Sequence, residues 1–150
     1  MAYEEVTVHV QICREDVQLP AYARLHDAGM DVRAAISVDL APQETKIIPT
    51  GLKMSIPEGY EIQVRPRSGL SVKTPLRVSN APGTIDAGYR DEIGIIMTNT
   101  SLDAPFHIEK GERVAQFVLA SVPRIQFVLT EDVSTIGTNR GGGFGSSGVK

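Results

Sequence analysis

Prolines at positions 42, 49, 57, 66, 75 and 82 interrupt the middle of the chain every seven to nine residues. Each lacks a backbone donor and clashes with a preceding helical turn, so no helix of ordinary length fits between them. The intervening residues alternate instead. Val6, Val8, Val10 and Ile12 alternate with Thr7, His9 and Gln11, and Leu52, Met54 and Ile56 with Lys53 and Ser55. Tyr60, Ile62 and Val64 alternate with Glu61 and Gln63 in the same way. A period of two marks strands with one buried face. Pro57-Glu58-Gly59 reads as a hairpin turn between the last two runs. Further strands are expected at 36–40, 46–48, 76–79, 93–98, 106–109, 113–120 and 125–130. Many short strands with closely spaced turns predict an all-β sandwich, barrel or jelly roll. The sequence has no internal repeat and no interdomain linker.

At 150 residues with 41% apolar side chains, the chain has material for one domain with a single core. Disordered, collagen-like and disulfide-scaffold classes are excluded on composition. A net charge of −3 argues against non-specific binding to nucleic acid or an anionic membrane. The longest uncharged stretches, 93–102 and 114–123, are half the ~20 residues a membrane helix needs. With no charged-then-apolar leader and one cysteine, Cys13, a reducing intracellular home, the cytoplasm, is expected. Ten of the fifteen cations are Arg. The planar guanidinium fork matches pairs of phosphate oxygens, although an Arg-rich set of surface ion pairs accounts for the bias equally well.

The segment 136–150 differs from the rest. It is rich in Gly and too poor in apolar side chains to fold alone, which separates a folded domain at 1–135 from a mobile arm. Arg140 and Phe144 distinguish that arm from an inert linker and suit a lid that orders on binding. Several chemistries lack support. There is no phosphate-loop motif, no strand–helix context for the arm's glycines, and no nucleophile-elbow GxSxG. His9, His26 and His107 are too scattered to hold zinc with one cysteine.

The chemistry-bearing residues gather in short loops. Asp27-Ala-Gly-Met-Asp31 sets two carboxylates around a glycine. Arg65-Pro66-Arg67-Ser68-Gly69 combines cations, a hydroxyl and an unhindered backbone N–H, as an anion nest or a charged hairpin end would. Asp86 and Tyr89 stand three apart in a dense turn before an apolar strand, and Gln116 is the one amide on the strand after Lys110-Gly111. In order and spacing, AGMDVRA, PRSGLS, NAPGTIDAGYRDEI, GERVAQ and RGGGFGSSG resemble the five motifs of the homotrimeric dUTP pyrophosphatase (dUTPase) family, spanning residues 28 to 148.

That resemblance implies a jelly-roll-like β-barrel of the β-clip type and a homotrimer whose active sites are shared between chains. It implies hydrolysis of dUTP to dUMP and pyrophosphate with Mg²⁺, which limits uracil in DNA and supplies dUMP for thymidylate. By analogy, Asp86 activates the water that attacks the α-phosphorus, a role a well-placed carboxylate can fill. Tyr89 would pack on the deoxyribose and exclude a 2′-hydroxyl. Asn80 and the backbone of Gly83, Thr84 and Ile85, facing Gly94 across a hairpin, would match the polar edge of uracil. Arg67, Ser68, Gly69 and Gln116 would hold phosphate oxygens, and Asp31 would reach the metal through water. Phe144 and Gly145 would cover the base, with Arg140 and Ser146 on the γ-phosphate. The chain departs from the family pattern twice. Arg140 stands four residues before Phe144 where relatives have five, and Asp91 replaces a common glycine. A related dCTP deaminase needs a glutamate where this chain reads Ile95-Ile96-Met97, and a non-catalytic binding module would not need the whole set.

Overall fold

The computed structural model describes residues 3–149. Eleven strands run β1 His9–Ile12, β2 Gly29–Arg33, β3 Val38–Leu40, β4 Thr45–Pro49, β5 Leu52–Ser55, β6 Tyr60–Arg65, β7 Leu76–Val78, β8 Gly83–Ile85, β9 Gly94–Asn99, β10 Phe106–Ile108 and β11 Arg113–Ser121. One short helix, α1 Ser68–Lys73, follows β6, and a single 3₁₀ turn spans Val133–Thr135. All strand pairs are antiparallel, in sheets ordered β2-β11-β6-β8, β4-β9-β7, β1-β5 and β10-β3. The architecture is all-β, as the alternation predicts, and it is consistent with the jelly-roll-like β-barrel that the family resemblance implies.

The alternating apolar residues make the core. Ile62 and Val64 of β6, Leu52 and Met54 of β5, Ile95 and Met97 of β9 and Phe117 of β11 turn inward together. Each such side chain stabilises the fold by roughly 1.5–3 kcal/mol relative to exposure. Thr50 and Asn99 are the buried polar residues among those described, and the Thr50 hydroxyl donates to the Ile93 carbonyl at 2.7 Å; Asn99 is the larger case. Its amide nitrogen donates to the carbonyls of Leu40, Ala41 and Ala104, and its oxygen accepts from Ser101 N–H, so burial leaves it satisfied.

Two expected hairpins are corrected. Pro57–Gly59 does turn the chain, with Gly59 at φ +86°, but β5 pairs with β1 while β6 pairs with β11 and β8. The turn carries the chain between sheets, so that two apolar faces meet across the core instead of lying side by side. Likewise β8 and β9 do not pair, because β8 joins β6 and β9 lies between β4 and β7. The alternating run from Val6 forms a ladder only from His9 onward, and Val10 and Ile12 stay exposed at that edge. Residues 125–130 are exposed and form no strand, with no partner strand among the described residues. Four elements had no sequence signal: β2, β8, α1 and the 3₁₀ turn at Val133–Thr135.

Candidate active site

The four-stranded sheet positions one group of predicted residues. Asp31 on β2 lies directly opposite Gln116 on β11, which lies opposite Arg65 on β6, so the three share one face. Asp31 Oδ1 accepts from Arg67 Nε at 2.9 Å, and its Oδ2 accepts from Arg113 Nη1 at 3.4 Å. Gln116 Nε2 donates to the Pro66 carbonyl at 2.9 Å. Its Oε1 lies over Gly29, where a Cβ would collide with it, so the bare glycine is what lets the carboxamide fold across β2. Ser68 and Gly69 open α1. No side chain caps that end, and the first-turn N–H groups have no helical acceptor. Two guanidinium groups therefore meet on one carboxylate, with the Gln116 amide opposite it and the Ser68 hydroxyl one residue along the chain from Arg67, donor types that suit anionic oxygens.

A second group lies on β8 and the turn after it. β8 is an edge strand, so the side of Gly83, Thr84 and Ile85 away from β6 is unpaired backbone. Asn80 lies over Gly83, with its Nδ2 3.3 Å from where a Cβ would stand. Asp86 is exposed just past the end of β8, and its carboxylate makes no hydrogen bond or ion pair among the described residues. Tyr89 N–H closes the turn on the Asp86 carbonyl at 3.1 Å. The Tyr89 ring is 42% exposed and so is not a core aromatic, and its hydroxyl donates to the Glu92 carbonyl at 2.8 Å. Gly94 is a point of close approach, but the covering atom is Cγ2 of Ile47 on β4.

The two groups sit at opposite ends of the sheet. Ile85 pairs with Ile62, whereas Arg65 leads out of the far end of β6 toward Arg67. Three residues of strand, at least ~10 Å, separate those levels, and Asp86 and Arg67 lie beyond them in opposite directions. The arm joins neither group. Arg140, Phe144, Gly145 and Ser146 are exposed, with Phe144 at 114% of its reference area. Their contacts are local, Ser146 Oγ accepting from Gly143 N–H and Ser146 N–H donating to the Gly143 carbonyl. No cluster of three or more metal-ligating side chains occurs among the described residues. Arg113, Arg14 and Glu92 were not singled out from sequence. Arg14 and Glu92 meet across 78 positions, which no local pattern reveals.

The dUTPase family profile matches residues 15–148. The chain belongs to the dUTPase family. It is 49% identical over 145 residues to deoxyuridine 5′-triphosphate nucleotidohydrolase of Fusobacterium nucleatum, covering 94% of this chain and 97% of that one. Among solved structures it resembles the dUTPase of Staphylococcus bacteriophage 80alpha bound to dUpNHpp, with TM-score 0.87 and 32% identity over 95% of this chain and 99% of the other. It also resembles a mutant dUTPase from phage phi11 of S. aureus described with a structural Mg(II) ion, at TM-score 0.77 and 29% identity over 84% and 97% of the two chains. Among the described residues no helix is long and apolar enough to cross a membrane.

Proposed function

We propose that Asp86 is the base that activates water in this protein's hydrolysis of dUTP to dUMP and pyrophosphate. The observation that carries this is the exposed Asp86 carboxylate, free of partners among the described residues, on the same turn as Tyr89. In the reaction a water proton passes to Asp86 and the oxygen bonds to the α-phosphorus in line. The bond from that phosphorus to the bridging oxygen then breaks, and pyrophosphate leaves. The unpaired edge of β8 offers fixed donors and acceptors to the uracil, with Asn80 beside it. Cytosine, whose exocyclic amino group reverses the pattern, leaves those groups unsatisfied. Tyr89 packs on the deoxyribose.

Arg67, Ser68, Gly69 and Gln116 receive the phosphates. Asp31 is already shared by two guanidinium groups, which suits it to an outer-sphere contact rather than direct ligation of a metal. Mg²⁺ fits such a site because it keeps its waters and takes phosphate oxygens as direct ligands; when bound it offsets charge on the leaving group. The arm of residues 136–150 closes over the nucleotide, with Phe144 and Gly145 on the base and Arg140 and Ser146 on the γ-phosphate.

Because Asp86 and Arg67 point out of opposite ends of one sheet, a single chain does not bring both to one triphosphate. This supports a site shared between copies, in a homotrimer. The exposed, alternating segment 125–130, with Phe127 at 87% and Leu129 at 101% exposure, supports the same assembly. The test is incubation with Mg²⁺ and dUTP, dCTP, dTTP or UTP in ¹⁸O-water, reading pyrophosphate, ammonia and label. Pyrophosphate from dUTP alone, with ¹⁸O in dUMP, supports the reading. Ammonia from dCTP, label in pyrophosphate, or no product contradicts it.

A further inference from the structure

Glu92 is tied to three separate parts of the chain. Its carboxylate accepts a forked pair from Arg14, Nε to Oε2 at 2.6 Å and Nη2 to Oε1 at 2.9 Å. Oε2 also accepts Gly51 N–H at 2.8 Å. Arg14 is the largest influence holding the Glu92 carboxyl below its usual range, with burial opposing and the Gly51 N–H assisting. Gly51 is itself fixed. It sits at φ +73°, its carbonyl accepts Cys13 N–H at 2.8 Å, and a Cβ there would strike Val17. The next residue is pinned as well, since Ile93 N–H donates to the Leu52 carbonyl and the Ile93 carbonyl accepts both Thr50 N–H and Thr50 Oγ.

The backbone carbonyl of Glu92 is therefore a fixed point, and the Tyr89 hydroxyl is bonded to it at 2.8 Å. We infer that Arg14 and Glu92 are positioning residues for sugar discrimination: through the Glu92 carbonyl they hold the Tyr89 ring where a 2′-hydroxyl would collide. This deepens the reading above and rests on Tyr89 facing the deoxyribose. Arg14 touches no nucleotide in this account. It acts because a planar fork sets the carboxylate's orientation as well as its charge, which a lysine cannot do.

The experiment compares kcat/KM for dUTP and UTP in Arg14→Ala, Arg14→Lys, Glu92→Gln, Tyr89→Ala and Tyr89→Phe, with thermal unfolding measured alongside. Arg14→Ala lowers the dUTP-to-UTP preference about tenfold, the scale of a small misplacement of a contact group. Glu92→Gln does the same if Arg14→Ala fails to fold, and Arg14→Lys restores only part of the loss. In the Tyr89→Phe background, where the ring is already released, Arg14→Ala changes the preference little further. Loss of preference in Tyr89→Ala but an unchanged ratio in Arg14→Ala and Glu92→Gln overturns this inference alone. Equal losses for both nucleotides, or fully additive effects with Tyr89→Phe, overturn it too. An unchanged ratio in Tyr89→Ala overturns it together with the sugar-facing reading of Tyr89.

Discussion

His107 lies between two carboxylates, with Nδ1 2.7 Å from Asp39 and Nε2 2.8 Å from Glu109. Glu109 first and Asp39 second raise its pKa above 6.5, against a smaller cost of desolvation. A raised histidine pKa stabilises the fold fully below the unfolded value and no longer does so once the pH passes the folded one. His107→Gln is therefore expected to be less stable than the parent near ~pH 6, with the gap closing by ~pH 9 and shrinking in salt. Chemical denaturation at the two pH values checks it, and a gap that widens with pH contradicts the assignment. At this scale the sequence was informative where chemistry is local. Asp86 and Tyr89 stood out through the family motif that contains them, and their three-residue spacing survives folding as one turn with both exposed. The Arg14–Glu92 pair was not, because its two halves meet only after β4, β5 and the loop before β9 are in place.

Among the elements, strands with three or more alternating positions were legible, and the shortest ones were not. β8 is three residues opening on a glycine, too short for a period to be counted. β2 reads Gly-Met-Asp-Val-Arg, whose charges suggested a loop, yet its polar face is the one that carries Asp31 beside Gln116. α1 contains Gly69 and β-branched Val72, poor helix formers. It persists because Leu70 packs on the core and Thr74 Oγ caps the Leu70 carbonyl at 2.6 Å. The close fit of β2 to β11 has a direct consequence. Gly29→Ala drives its Cβ into Gln116 Oε1, the far end of a flexible side chain, so the amide swings away while the fold adjusts cheaply. Loss of one such hydrogen bond, about 1 kcal/mol, is expected to lower kcat/KM for dUTP about fivefold, with the unfolding midpoint nearly unchanged. A large drop in the midpoint with normal kinetics contradicts that account.

For the whole molecule, alternation between prolines foretold the all-β class, but not which strands pair. Both turns read as hairpins carry the chain between sheets, since pairing is decided by distant partners and not by the turn. The apolar alternation at 125–130 likewise predicts a strand, and within one chain it has nothing to pair with among the described residues. If copies assemble through it, Phe127→Asp is expected to shift sedimentation toward monomer and to lower turnover in parallel, because the site is shared. A monomer with full activity contradicts the shared site. The most direct measurement is the turnover of dUTP by Asp86→Asn, with binding of a non-hydrolysable dUTP analogue measured on the same protein. Loss of the general base is expected to lower kcat by about 10²–10⁴-fold while analogue affinity stays close to that of the parent. A kcat within a few-fold of the parent shows that another group activates the water.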